Sequence, residues 1–546
     1  MKARMRTMRP AVLAMTTAMV LSSCGGGGDD APGTGDTGGA ISVFNTEPEN
    51  PLVPGNTTEF GGSQVMDAMF TGLIDYDQQT TEVKNAAADS ITDVDSKVYT
   101  VKLKPGWKFH DGTDVLAKNF VDAWNWTAYG PNATQGAPFF SDIQGYDEVN
   151  PADPDGKSGP QQAPAPATDK MSGLRVVDDR TFEVTLKSSS PVFKVKLGYE
   201  VFAPLPDSFF ADKAAFEAKP IGNGPFKFVS RQVGTEVKLT RFDEYTGMDK
   251  PKFKDLTFRV YQSREAAYPD LVGNQLDFIE ELPPNALAGQ QHKTDLGDRV
   301  VEGESLMNQT LSFPLYEEKY QNPDLRKAIS MAINREEITT RIYEGSRQPA
   351  DGLVHPLIKG YQKGQCGELC TFNPEKAREH LARSGFTGPL KIISNTDGGH
   401  SEWATAAANS IKNTLGIECV FEPATSLGEF RGKINAREMT DMYRAGWVAD
   451  YPSIENFLNP IYKTGASSND GEYSNPEVDA KLAAADTAAS EEEGIKLYLE
   501  AEKLILNDLP FVPLWTQNTI GGKSDRLSSA KLSAFRKLDL TSVEVA

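Results

Sequence analysis

Arg444 and Asp450 bracket the run Arg444-Ala445-Gly446-Trp447-Val448-Ala449-Asp450, a cation and an anion at the two ends of a narrow stretch of backbone. Side chains alternate along a strand, so in an extended run both residues project to one face, about 20 Å apart at about 3.3 Å per residue. Asp450, at the carboxyl end of a strand, lies where open α/β sheets bind ligands. The same spacing also fits two solvated rim charges.

Other stretches have the residue types for catalysis but not the pattern. His110-Asp111 has the make-up of an acid/base pair, and Gly222-Asn223-Gly224-Pro225 lacks the Lys-Ser/Thr ending of a phosphate loop. Gly399-His400-Ser401-Glu402-Trp403 ends in the wrong residue for a nucleophile elbow. No His-Glu-x-x-His occurs, and the 5 histidines are scattered, which argues against a metallohydrolase and against direct metal capture. Asp153-Pro154-Asp155-Gly156 opens like a calcium loop, but Gln162 stands where its glutamate is required. The expectation is therefore a chain with no catalytic residue, no metal and no cofactor.

Of the 4 cysteines, Cys366 and Cys370 lie close together in a glycine-rich loop, where an oxidising exterior favours a local disulfide over half of a zinc site. Cys419, inside the apolar run 417–421, reads as a buried thiol. Cys24 follows Lys2, Arg4, Arg6 and Arg9 and an apolar stretch over 11–21, the charge-then-apolar order of a secretory signal. That stretch is too short to span a bilayer. Residues 25–40, rich in Gly, Asp and Thr, read as a flexible linker.

The 546-residue chain carries a net charge of −20, and without the four cations of its leader 52 basic residues face 76 acidic ones. That balance argues against nucleic acid or an anionic surface as the partner, since phosphates would be repelled. The length calls for two or three subdomains. Strand-like and helix-like segments alternate from Ile41 onward, which predicts a mixed α/β architecture interrupted by an exposed loop over 150–169.

The elements that must carry Asp450 are legible in the C-terminal half. Asn322-Pro323-Asp324 opens a helix, Leu325, Ile329, Ile333, Ile338 and Ile342 continue it at near-helical spacing, and Gly345 stops it. Asn373-Pro374-Glu375 opens another, closed by Gly385. A strand over 390–394, a helix over 401–415 and a strand over 417–421 make a βαβ unit with a parallel sheet, and a third strand runs over 442–449.

At this point the chain resembles the family 5 extracellular solute-binding proteins, the dipeptide and oligopeptide receptors of ABC importers. The resemblance covers nearly all of the chain beyond its leader. It rests on Met69-Phe70-Thr71-Gly72-Leu73, the run 99–112, Gly222-Asn223-Gly224-Pro225-Phe226, Asn322-Pro323-Asp324-Leu325-Arg326, Asn373-Pro374-Glu375-Lys376-Ala377, the 446–450 segment and Leu509-Pro510-Phe511-Val512-Pro513-Leu514, in family order. It implies an α/β, periplasmic-binding-protein-like fold of the class II type, with two lobes, an extra subdomain in the first and a hinge between them. The expected divisions are a signal peptide 1–23, a tether 24–40, lobe I over 41–58, 180–307 and 510–546, the extra subdomain 59–179 and lobe II over 308–509. The hinge falls near Met307-Asn308 and Leu509-Pro510.

The resemblance makes His110-Asp111-Gly112 a turn rather than a catalytic pair. Leu21-Ser22-Ser23-Cys24 resembles a lipobox, which implies lipidation of Cys24 and a place on the outer face of the cytoplasmic membrane. Asp450 is expected to meet a peptide's α-ammonium, the backbone of Gly446, Trp447 and Val448 to bond its main chain, and Arg444 to meet its carboxylate. Phe139, Phe140 and Trp515 fall near positions that line the family's cavity. The expected partners are a short peptide and the importer's permease subunits, with the chain itself a monomer. A nickel chelate, a sugar or an opine as cargo, or peptide sensing in place of import, fits the same fold.

Overall fold

Eleven strands join into one mixed sheet in the computed structural model, which describes residues 39–154, 162–247, 250–396, 399–466 and 468–546. The predicted leader, Cys24 and all but the end of the tether lie outside these residues. In chain order the strands are β1 (Ala40–Asn45), β2 (Phe226–Gln232), β3 (Glu236–Arg241), β4 (Asp255–Val260), β5 (Phe278–Ile279) and β6 (Val300–Ser312). They continue with β7 (Arg347–Pro349), β8 (Leu390–Asn395), β9 (Cys419–Ala424), β10 (Met442–Val448) and β11 (Phe511–Lys523). The spatial order is β9-β8-β10-β6-β11-β5-β1-β4-β3-β2, with β7 paired to β11 off this path. A separate four-stranded antiparallel sheet is built from Ala88–Val94, Val98–Leu103, Leu174–Asp178 and Thr181–Thr185.

β6 and β11, 13 residues each, run antiparallel through the middle of the large sheet and tie its two halves together. Their pairing shifts register between Glu304 and Asn308, so the ladder is interrupted beside Met307. The chain enters β11 through Leu509, whose φ of 50° lies in the left-handed region, a turn that a leucine adopts only under firm tertiary constraint.

The predicted βαβ unit is present as β8, a helix over Ser401–Leu415 and β9, with β8 and β9 parallel. Its helix buries Trp403, Ala404, Ala407, Ala408 and Ile411, the 3–4 residue spacing of a one-faced helix, against the sheet. The second strand starts at Cys419 and runs to Ala424, later than its apolar run suggests, because its partners reach as far as Asn395. Cys419 is buried, and burial pushes its thiol up to about 12.

The single helix expected over 323–344 is two, Pro323–Ala332 and Arg335–Tyr343. The buried Arg335 guanidinium takes the carbonyls of Ser330, Ile333 and Pro513, and Asn334 caps the second helix by accepting the Glu337 N–H at 3.2 Å. Ile333 and Ile338 are buried on either side of the break, so the apolar spacing runs through it without showing it.

Two motifs that look catalytic pack on each other. His110 Nδ1 accepts the Gly222 N–H at 3.1 Å and its Nε2 lies 3.0 Å from the Gly224 carbonyl, which fixes a neutral ring with its proton on Nε2. Burial lowers the ring's pKa to about 4. The Asn223 side chain pairs with both backbone groups of Thr71, and the Gly224 N–H reaches the Met69 carbonyl at 2.7 Å. A Cβ on Gly222 would stand 2.0 Å from that same carbonyl oxygen, which is why glycine is required there. Three separate stretches of sequence thus form one structural knot.

Candidate functional site

β10 carries the site because its two edges are treated differently. On one side Tyr443 to Val448 pair with Ser312 to Met307 of β6. On the other, β8 reaches only Met442 and Tyr443. Among the described residues no strand covers the outer edge of β10 from Arg444 onward, which leaves backbone groups there for a further extended chain.

Where β10 ends, a helix over Ile454–Tyr462 begins, and Asn456 in its first turn holds the intervening loop. Its side-chain oxygen accepts the Trp447 indole N–H and the Asp450 backbone N–H, each at 3.0 Å. Its side-chain N–H donates to Asp450 Oδ2 at 3.1 Å. Burial raises the Asp450 carboxyl to about 6, against the pull of the Asn456 hydrogen bond and with help from Glu455. No described cation forms an ion pair with it.

Asp450 borders a cavity of 810 Å³ together with Val448, Ala449 and Arg444. Arg264, Arg347 and Arg536 also line it, around Glu281. Burial works to raise Glu281, but Arg536, Arg264 and Arg347 hold it at about 2. Gln517 of β11 adds a hydrogen bond to Glu281 at 3.0 Å. His400 completes this part of the wall. Its Nδ1 accepts the Trp403 indole N–H at 3.1 Å, and burial, with Arg444 and Arg347 nearby, keeps it neutral. Among the charged groups of the cavity wall are therefore a carboxylate with no described cation paired to it and a cluster of guanidiniums, the two charges a zwitterion needs. Among the described residues no three His, Cys, Asp or Glu are grouped so as to hold a metal, and no helix is long and apolar enough to cross a membrane.

The other residues singled out by sequence are dispersed. Gly446 and Trp447 line a second cavity of 280 Å³, which shares Arg444 with the first. Phe139 packs on Tyr199, ring centroids 4.8 Å apart, and Tyr199 in turn lines the larger cavity. Phe140 and Trp515 do not line it. Phe140 is fully buried against Trp124 and Phe202. Trp515 lies beneath the Ser401–Leu415 helix, 5.3 Å from the Trp403 ring, while Gln517, two residues along the same strand, is the one that reaches the cavity. Cys366 and Cys370 are joined by a disulfide, Cα atoms 5.6 Å apart.

Sequence reasoning missed Asn456, Glu281, Arg264, Arg347 and Arg536 altogether and met His400 only as part of a failed elbow. Glu281 and Arg536 are 255 positions apart, and no local pattern joins them.

Residues 82–469 match the sequence profile of the bacterial extracellular solute-binding proteins, family 5. The chain belongs to this family. Among relatives of this solute-binding protein, the oligopeptide-binding protein OppA of Bacillus subtilis is 23% identical over 526 residues, covering 92% of this chain and 93% of its own. The periplasmic oligopeptide-binding protein OppA of Salmonella typhimurium is 27% identical over 466 residues, covering 83% and 82%. The solved structure of Haemophilus influenzae OppA in complex with RPPGFSPFR superposes with a TM-score of 0.73 at 22% identity, over 93% of this chain and 98% of that one. The fold is thus the two-lobed α/β arrangement of the family's periplasmic-binding-protein-like members.

Proposed function

We propose that this protein captures short peptides in the 810 Å³ cavity and delivers them to the membrane permease of an ABC importer. The observation that carries the reading is Asp450, a carboxylate in the cavity wall with no described cation paired to it. Desolvation makes such a group costly unless a ligand brings the missing charge, and a peptide's α-ammonium brings it. The arginine cluster supplies the complementary pole. The outer edge of β10 pairs with the ligand's main chain, so that affinity rests on groups every peptide shares. The two OppA relatives, both oligopeptide-binding by name, agree with this cargo.

Capture closes lobe I (41–58, 180–307, 510–546), which bears the extra subdomain 59–179, on lobe II (308–509) by rotation about Met307-Asn308 and Leu509-Pro510. The register shift beside Met307 and the left-handed turn at Leu509 support a bend at those crossings. A lipid on Cys24 holds the protein at the outer face of the membrane. Its work is binding and release, without catalysis or a cofactor.

Isothermal titration calorimetry with trialanine and with N-acetyl-trialanine tests the reading. The free amine binds, and acetylation weakens binding by at least about thirtyfold, the low end of the usual cost of leaving a buried charge unpaired. Equal affinity for the two forms overturns it.

A further inference from the structure

Lys196 lies beside the segment that carries Asp450, yet it does not line the cavity, and its side chain is only 12% exposed. Its ammonium pairs with Asp142 at 2.9 Å and with Glu455 at 3.7 Å, and it stands over the Tyr451 ring, 5.8 Å from the centroid. The Tyr451 hydroxyl donates to one oxygen of Glu455 at 2.6 Å, and the Asn459 side-chain amide donates to the other at 3.4 Å. Burial works against the Lys196 charge, but Asp142 and Glu455 outweigh it and hold the ammonium well above the usual lysine range.

These groups come from both sides of the division proposed above: Asp142 from the extra subdomain, Lys196 from lobe I, Tyr451 and Glu455 from lobe II. The packing around them is reciprocal. Tyr451 is buried in an apolar core that otherwise belongs to lobe I and its subdomain, and Val192, four residues before Lys196, is buried in a core built mostly from lobe II. Tyr451 follows Asp450 directly, and Glu455 precedes Asn456, which aims the Asp450 carboxylate. Glu455 also lies near enough to push the Asp450 carboxyl up. The seam thus gathers Asp142, Asp450, Glu455 and Asp486 against Lys196 and Lys463, with Lys463 spent on Asp486 at 3.4 Å and the nearby Lys187 on Asp147 at 2.6 Å. Among the described residues Lys196 alone forms an ion pair with Glu455, and a ligand's α-ammonium at Asp450 would relieve the repulsion between the two neighbouring carboxylates.

Resting on the peptide reading and the lobe division above, we infer that Lys196 is a positioning residue for the bound peptide: its ion pair with Glu455 keeps lobe I shut on the segment that presents Asp450, and so sets how slowly the ligand leaves. The pair acts after capture, because Lys196 and Glu455 meet only where the two lobes touch. It slows release and leaves association alone. An ion pair buried in this way has given up its hydration on both sides, so removing one partner strands the other charge, whereas removing both leaves a neutral seam.

Release of radiolabelled trialanine, chased with unlabelled trialanine, tests the inference on the intact chain, with calorimetry supplying the affinity. Lys196→Met releases the ligand about tenfold faster or more, and its Kd rises by the same factor, so the association rate is unchanged. Lys196→Arg recovers most of the slow release. Glu455→Gln speeds release as well, and the double variant Lys196→Met with Glu455→Gln is no faster than the faster single one, since the two side chains act as one unit. A release rate is read only from loaded, folded protein, so a loss of folded material does not mimic it. Release from Lys196→Met within about twofold of wild type, or a double variant whose acceleration is the product of the two single ones, overturns the inference. If trialanine binds the wild-type protein and Lys196→Met leaves its release unmoved, the Lys196 role alone falls. If trialanine does not bind the wild-type protein, the peptide reading falls and the inference falls with it.

Discussion

The Asp450 carboxylate and the Asn456 side-chain amide lie 3.1 Å apart, and the same amide accepts the Asp450 backbone N–H at 3.0 Å. One residue in the first turn of a helix therefore aims both the backbone and the side chain of the carboxylate that borders the cavity. The bond pulls the Asp450 carboxyl down while burial pushes it up. Asn456 thus holds in place a charge that the folded protein alone does not satisfy.

Asp450→Ala is expected to weaken trialanine binding by about 2–5 kcal/mol, the usual consequence of removing one side of a desolvated charge pair. Calorimetry checks this directly, and an affinity within about twofold of wild type removes Asp450 from the site.

Protonation gives a second handle. Burial, opposed by Asn456, sets the Asp450 carboxyl at about 6 in the empty protein, and only its ionised form attracts an ammonium. Affinity for trialanine is therefore expected to rise with pH up to about 6 and then level off, until the ligand's own amine loses its proton near about pH 8. Asn456→Ala moves the midpoint of that rise to higher pH. Calorimetric titrations from about pH 4.5 to 8 measure both, and a flat profile in the wild-type protein contradicts the role of the carboxylate.

The same shift acts on the stability of the empty protein with the opposite sense. The folded carboxyl keeps its proton up to about 6, whereas an unfolded aspartate releases it near about 3.9, so the folded state binds more protons in between. Through this group stability is full below about pH 4 and declines as pH rises to about 6. Asp450→Asn removes that decline. Its unfolding midpoint should exceed the wild type's at about pH 7.5 and match it near about pH 3.5, as read by differential scanning calorimetry.

His110 is expected to matter for stability alone. His110→Ala leaves the Gly222 N–H and the Gly224 carbonyl without their ring partner, a loss of about 1–3 kcal/mol in urea unfolding. Trialanine affinity should stay within about twofold of wild type. Unchanged stability contradicts the clamp, and a tenfold loss of affinity assigns His110 to binding.

What the sequence reveals here follows the range of the forces involved. The βαβ unit and the placement of Arg444 and Asp450 on the wall of one cavity rest on short-range periodicity and alternation, which the chain displays locally. The break at Ile333-Asn334 escapes the apolar pattern because Arg335 makes it by reaching the Pro513 carbonyl, far along the chain. Phe140 and Trp515 read as cavity residues because an aromatic side chain fits a cavity wall and a core equally well, and only the helix lying over Trp515 decides between them. The arginine cluster around Glu281 is assembled from separate segments, Arg536 standing 255 positions from Glu281, so no local spacing announces it. His110 shows the converse: its residue type suggests chemistry, and its hydrogen bonds are spent on the knot at Gly222 and Gly224.

A crystal structure of the protein with trialanine bound is the most direct test of the central claim. The account predicts the ligand's ammonium nitrogen within about 3 Å of an Asp450 carboxylate oxygen, with the peptide extended along the outer edge of β10. A bound peptide whose amine lies elsewhere, with Asp450 touching no ligand atom, contradicts it.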